Sequence, residues 1–308
     1  MGPDPPSVSG TVWRVPPPTG RNEVPRFRVD RVSGLPFKTS RSADARSRAL
    51  RKAVQRMDAS VVALGTRILA RAGVETPRED AEALAAHAPA KDEAVKLFRR
   101  RATREPLAYI IGTVSFRGLE LTVDRRVLVP TEHRTGTLVR AALDLPPRAR
   151  VHEVGTGSGA VALALKHERP DLAVSGSDIS MPAIEVAREN ARRLCLGVSF
   201  FPADGLPRGD FDLVLANLPY TDSAQATQKL PPEEALFQPG VALWAGPDSL
   251  GLIRELIDQA QRGTHLALEH APHHTAELHR LLDEPRTLRD ELGDERVTVG
   301  LVKAERRR

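Results

Sequence analysis

The stretch 211–222, Phe-Asp-Leu-Val-Leu-Ala-Asn-Leu-Pro-Tyr-Thr-Asp, begins as an apolar run and breaks at Asn217, Leu218, Pro219 and Tyr220. An Asn side-chain oxygen and the carbonyl of the next residue can together accept both hydrogens of one planar –NH2 group, while an aromatic ring packs against its plane. Pro219 biases residue 218 toward an extended backbone, which directs that carbonyl. The chemistry this suits is the presentation of an amide or exocyclic amine to a reacting partner. The same residues also make an ordinary turn with a Tyr capping the core.

A second group stands at 151–160, Val-His-Glu-Val-Gly-Thr-Gly-Ser-Gly-Ala. Gly155, Gly157 and Gly159 let a backbone turn sharply after a strand and approach a ligand closely, with helix-terminal amides pointing into the gap. Asp178 follows 21 residues after Gly157, where a carboxylate can accept both hydroxyls of an adenosine ribose. Both features serve nicotinamide and S-adenosylmethionine enzymes alike, and Asp178 could equally cap the helix near 181. An amide cradle facing the cofactor has no obvious use in a hydride-transfer site, which favours the S-adenosylmethionine reading.

These residues need a sheet beneath them. Strands are predicted at 150–154, 173–177, 198–201, 212–216 and 265–269, and helices between them at 158–168, 181–194 and 249–262. Their alternation predicts a parallel sheet covered on both faces, with the ligand at the carboxyl ends of the strands. The segments 287–289 and 296–302, joined by the turn 290–295, predict a final antiparallel strand. Helical spacing from Val61 to Leu69, then in 79–88 and 92–102, predicts a small front domain, and 109–130 reads as a β-hairpin turning at Arg117-Gly118.

With 41% hydrophobic and 28% charged residues in 308, the chain has the composition of an ordinary soluble protein with room for two domains. It has no apolar run near the ~18 residues of a membrane span. A single cysteine, Cys195, excludes an internal disulfide and is expected as a small buried residue. No metal is expected, and His273-His274 read as an exposed helix start. The net charge of +5 resides in residues 1–50, which hold nine basic and four acidic side chains, leaving 36 of each sign in the remainder. That first segment carries eight prolines and is expected to be disordered. The remainder is neutral overall, so any attraction to nucleic acid would sit in the first segment, in local patches or in Arg306-Arg307-Arg308, and a nucleic acid is not the expected substrate.

From about residue 60 to 302 the chain resembles the protein-glutamine methyltransferases that modify peptide-chain release factors. The matching stretches are GTVSFRGLELTVDRRVLVP, EVGTGSGAVALAL, SDIS, ANLPY, FQPGVALWAGPDSLGLI, LALEH and DELGDERVTVG, in that order. The resemblance implies an α/β, Rossmann-like, class I S-adenosylmethionine-dependent methyltransferase, with a seven-stranded sheet and an antiparallel last strand. Ahead of it, residues 1–56 read from their composition as a disordered Pro/Arg-rich extension, and the resemblance implies a helical substrate-recognition domain at 57–108, a β-hairpin at 109–130 and a catalytic domain at 131–308. The implied reaction is methylation of the side-chain amide nitrogen of the glutamine in a release factor's Gly-Gly-Gln loop, with S-adenosylmethionine as donor, no metal, and a cytoplasmic monomer. Carried over by motif, Gly155, Thr156, Gly157 and Gly159 line the cofactor and Asp178 holds its ribose. Glu153 serves its methionine end and Asp204 its adenine. Asn217, Leu218, Pro219 and Tyr220 hold the acceptor amide, with Asn217 and Tyr220 catalytic and Asn217 also meeting the cofactor.

Leu218 stands where that family commonly has the first proline of Asn-Pro-Pro-Tyr, Arg117 and Gly205 stand where an aromatic is common, and 128–139 departs from the usual Pro-Arg-Pro-Asp-Thr-Glu. Asn-Leu-Pro-Tyr is the form typical of ribosomal RNA adenine dimethyltransferases, which place their extra helical domain after the catalytic fold rather than before it. Methylation of a ribosomal protein or of a small molecule, and a nonenzymatic cofactor-binding role, are also compatible with these residues.

Overall fold

In the computed structural model, which describes residues 59–222 and 230–304, the apolar spacing that begins at Val61 closes into helix α1 (Ala59–Arg71). Gly73, at φ 72°, ends that turn in left-handed backbone. Helices α2 (Pro77–His87) and α3 (Lys91–Ala102) follow, and Leu69, Leu84 and Phe98 bury completely in their shared core. Gly65 makes this close packing possible, because a Cβ there would stand 2.6 Å from Phe98 Cζ. The segment 1–56, read as a Pro/Arg-rich extension, lies outside the described residues.

A short helix α4 (Leu107–Ile111) takes the first residues of the stretch read as a hairpin. The hairpin proper is β1 (Thr113–Phe116) and β2 (Leu119–Thr122), paired antiparallel. Its two loop residues, Arg117 (φ 50°) and Gly118 (φ 75°), are both left-handed, which matches the twist of the flanking strands. Arg117 is steadied by hydrogen bonds of 2.7 and 2.6 Å to Glu168. Helix α5 (Glu132–Arg140) leads into the sheet.

The strands are β3 (Arg150–Val154), β4 (Ala173–Asp178), β5 (Ser199–Pro202) and β6 (Leu213–Ala216), then β7 (Thr221–Asp222) and β8 (Trp244–Gly246), which pair only with each other. They are followed by β9 (His265–Glu269), β10 (Leu282–Arg289) and β11 (Glu295–Val302). The large sheet has seven strands in the order β10-β11-β9-β6-β3-β4-β5. Strands β5, β4, β3, β6 and β9 run parallel, and β11 is antiparallel between β9 and β10. Helices α6 (Ala160–Glu168) and α7 (Met181–Leu194) link the first three strands. The apolar run of β6 and the first six residues of α6 are wholly buried, as expected of a sheet covered on both faces. The chain reverses direction across the sheet between β3 and β6, which opens a crevice at their carboxyl ends.

Two expectations are corrected. Cys195 is exposed rather than buried: at φ 55° it supplies the left-handed residue that terminates α7. His274 is buried within the turn Pro272–His274, its Nε2 3.0 Å from Ser249 Oγ, so only His273 of that pair is exposed. Among the described residues no helix is long and apolar enough to cross a membrane.

Candidate active site

After β3 the chain turns through Gly155, Thr156, Gly157, Ser158 and Gly159 into α6. The three glycines, at φ 73°, 54° and 80°, hold backbone that L side chains rarely adopt, yet they meet different surroundings. A Cβ on Gly155 would lie 3.1 Å from Leu218 Cδ2, and one on Gly159 2.9 Å from Phe200 Cζ, whereas one on Gly157 would meet nothing within 4 Å. Gly157 faces a cavity of about 350 Å³ that Glu153, Gly155, Thr156, Asp178 and Asp204 also line. Gly159 does not line it and serves packing.

Asp178 ends β4 beside this turn. Its Oδ2 accepts the Gly157 N–H at 2.9 Å and its Oδ1 the Ser180 N–H at 2.8 Å. The cap of α7 is Ser180, whose Oγ accepts from Ala183 N–H at 3.4 Å, so Asp178 is not spent on capping. Each carboxylate oxygen keeps a free lone pair. Glu153 is fixed from inside: its Oε2 accepts Thr156 Oγ1–H at 2.6 Å and Ala162 N–H at 3.0 Å. Burial pushes its carboxyl up to about 8, with those two bonds pulling the other way. Asp204 lies exposed on the rim. Beside it, Gly205 is required by Gln259, whose Oε1 would stand 2.2 Å from a Cβ there and accepts the Leu206 N–H at 2.7 Å.

Asn217, Leu218 and Pro219 follow β6 and line this cavity on one side and a second cavity of about 490 Å³ on the other. Tyr220 lines only the second. The Leu218 side chain packs on the apolar cluster around β6 and β9, which accounts for an apolar residue other than proline at that place. Tyr220 sits edge-on to His274, with ring centroids 6.1 Å apart. Burial and the nearby Glu269 raise its phenol above the ordinary range, against the opposing effect of Arg134 and Arg296.

Charged residues from separate elements close the second cavity. Helix α8 (Pro232–Phe237) carries Glu233, which accepts from Arg101 Nη1 at 2.9 Å and from Arg104 Nε and Nη2 at 2.8 and 2.7 Å. Arg101 is buried and also bonds Asp80 at 2.7 Å. Glu234 pairs with Arg134 of α5 at 3.1 Å. Helix α3 with its following turn, and α5, are thereby tied to the same short helix. Asn190 of α7 fixes the hairpin in the same way: its Oδ1 accepts Thr122 N–H at 2.7 Å, and its Nδ2 donates to Thr122 O and Ser158 O at 3.0 Å.

The structure thus brings Glu153, Gly155, Thr156, Gly157, Asp178, Asp204 and Asn217–Pro219 to one cavity, and joins Tyr220 to it through the shared wall. Arg117 lines neither. Sequence reasoning did not single out Glu233, Glu234 or Glu269. Glu269 carried a visible signal, an acidic residue closing the otherwise apolar strand Leu-Ala-Leu. The two others lie in a segment with no periodicity to place it.

A sheet of this order with a glycine turn after β3 and an acidic residue ending β4 defines a Rossmann-like class I methyltransferase, and residues 134–238 match the Methyltransferase small domain. The release factor glutamine methyltransferase of Neisseria gonorrhoeae is 37% identical over 251 residues, covering 76% of this chain and 86% of that protein. Those of Mycolicibacterium smegmatis (36% over 237 residues; 68% and 83%) and Deinococcus radiodurans (36% over 215 residues; 62% and 76%) are similar as well. This chain belongs to the release factor glutamine methyltransferase family.

Proposed function

We propose that the chain methylates the side-chain amide nitrogen of a glutamine presented in the Gly-Gly-Gln loop of a peptide-chain release factor, using S-adenosylmethionine. The observation that carries this reading is the wall Asn217–Pro219 shared by two cavities: one side suits a nucleoside donor and the other a planar amide. The donor side fits its group. The open space at the Gly157 Cβ position leaves room for close approach, and the free lone pairs of Asp178 suit ribose hydroxyls. Asp204, on the rim of the same cavity, would meet the adenine amine, and Glu153 holds the turn through Thr156. S-adenosylmethionine supplies an already activated sulfonium methyl.

An amide nitrogen is a poor nucleophile because its lone pair is delocalised into the carbonyl. Asn217 Oδ1 and the Leu218 carbonyl hold its two hydrogens, fix its direction and stabilise the positive charge that grows as the methyl arrives. Tyr220 packs beside the amide, and the Glu233 clamp keeps water out of that side. Residues 57–108 then form the recognition domain, 109–130 the connecting hairpin and 131–308 the catalytic domain. A ribosome-associated substrate puts the reaction in the cytoplasm.

The test offers purified release factor or ribosomal RNA with labelled donor and locates the methyl group by mass spectrometry. Methyl-glutamine is expected, with turnover reduced about 10²–10³-fold in Asn217→Ala and donor affinity retained. Label on an adenine amine would transfer the chain to the nucleic-acid reading, and label on neither would point to a different acceptor.

A further inference from the structure

The last residue of β9 stands beside this wall. Ala216 pairs with Leu268 in parallel register, so the next residues, Asn217 and Glu269, leave adjacent strands side by side, about 5 Å apart. Both line the acceptor cavity. Glu269 is only 2% exposed, yet its Oε2 has no hydrogen-bond partner among the described residues. A buried carboxylate oxygen left without a donor is costly, and such an atom in a cavity signals a missing partner.

Among the described residues four carboxylates line this cavity: Glu75, Glu233, Glu234 and Glu269. Glu233 is held below its ordinary range, hydrogen bonds from Arg104 and Arg101 outweighing the burial that would raise it. Glu234 is paired with Arg134, and Glu75 lies exposed at the edge. Glu269 alone is both buried and unpartnered at one oxygen. The charged groups facing it are Arg134 of α5, Arg296 of β11 and Asp290 of the β10–β11 turn, with Tyr220 from the wall. Both arginines have other partners: Arg134 bonds Glu234, and Arg296 bonds Asp290 at 3.0 Å and His270 O at 3.4 Å. Burial brings the Glu269 carboxyl up to about 7 against the pull of those arginines, which suits a group that takes up and releases a proton near neutrality.

We propose that Glu269 is a catalytic base of this site, its Oε2 accepting a proton from the acceptor amide nitrogen as that nitrogen is methylated. The inference rests on the amide reading given above. The nitrogen forms its bond to the methyl carbon as the carbon–sulfur bond breaks, and the electron pair of that bond remains on sulfur. As the nitrogen becomes tetrahedral, the N–H that Asn217 Oδ1 holds in the bound substrate is given up to the neighbouring Glu269 carboxylate, leaving a neutral N-methyl amide and a carboxylic acid that returns the proton to solvent. Neither Asn217 Oδ1 nor a backbone carbonyl is basic enough for this. Proton removal concerted with methyl transfer restores to the nitrogen the electron density that amide resonance withholds.

The test measures single-turnover transfer to release factor at saturating donor across pH 5.5–8.5, for the wild type, Glu269→Gln and Glu269→Asp. The wild-type rate is expected to climb about tenfold per pH unit and level off near 7. Glu269→Gln, an isostere of the protonated form, should be slower by about 10²–10³-fold, within the range for general bases, and should lose that slope. Glu269→Asp should keep the slope at a lower rate. Independently of turnover, 13C-carboxyl NMR should show a glutamate titrating near 7 in the wild type and absent from Glu269→Gln, with donor affinity and melting temperature showing that the variant is folded. A Glu269→Gln rate equal to wild type, or a slower one with the wild-type slope intact, would overturn the proposal in favour of a structural role. No transfer by the wild type itself would instead remove the amide reading, and the inference with it.

Discussion

Gly157 and Gly159 lie two residues apart in one turn, and the structure assigns them opposite sensitivities. Replacing either by Ala places an L residue in left-handed backbone, which costs about 1–2 kcal/mol. At Gly157 there is no further steric cost, since the new methyl meets nothing within 4 Å. At Gly159 the methyl would stand 2.9 Å from Phe200 Cζ, 3.1 Å from Leu163 Cδ1 and 3.2 Å from Ala187 Cβ. Phe200 and Leu163 are buried, and overpacking such a site adds about 1–3 kcal/mol. Gly159→Ala should therefore lose roughly 2–5 kcal/mol of stability and Gly157→Ala about 1–2 kcal/mol. Donor affinity should rank the other way. The Gly157 methyl occupies the space of closest approach and should weaken binding of S-adenosylhomocysteine by about 10–100-fold, or 1.4–2.8 kcal/mol, while folded Gly159→Ala binds near the wild-type value. Urea denaturation and calorimetric titration read the two quantities. A Gly157→Ala protein that binds the nucleoside as tightly as wild type would refute the assignment of this turn to the donor.

Two further expectations concern pH and the clamp. Glu153 is raised by burial from 4.5 to about 8, so the folded state retains a proton that the unfolded chain releases. Its contribution is fully present below pH 4.5 and is lost as pH rises toward 8, at up to about 1.4 kcal/mol per pH unit. His152 and His274, lowered by burial to about 4, act in the opposite sense between pH 4 and 6.5. The difference in unfolding free energy between wild type and Glu153→Gln, followed from pH 5 to 8, isolates the carboxyl, and a flat difference would contradict its buried, protonated state. Glu233→Gln removes the charge shared by Arg101 and Arg104 and should destabilise the protein by about 2–4 kcal/mol, raising KM for release factor more than the Kd for the donor. Equal changes in both would show that the clamp does not belong to the acceptor side.

What the sequence disclosed follows from how local each cause is. The strand His265–Glu269 declares itself by the apolar run Leu266–Leu268 and β6 by Leu213–Ala216, while Arg150–Val154, with His152 and Glu153 inside it, is placed by the glycine turn that follows it. The hairpin was legible from Arg117-Gly118, although α4 was not, because its five residues are too few to show a period. Cys195 misled because composition suggests burial, whereas its position is set by how α7 ends. The Glu233 clamp joins residues more than 125 positions apart, and Asn190 reaches 68 positions back to Thr122. No window of sequence contains such pairs. The unpartnered oxygen of Glu269 is likewise a property of its surroundings, not of its neighbours in the chain.

The wall Asn217–Pro219 separates two chambers of unequal descent. The cavity proposed for the acceptor draws on Glu75, Arg101 and Arg104 from the front helices and the segments beside them, whereas among the described residues none before Arg126 lines the one proposed for the donor. Inheritance can therefore act on them separately. On the proposed reading, substitutions along the front helices change the chamber that admits the acceptor and leave the lining of the other untouched.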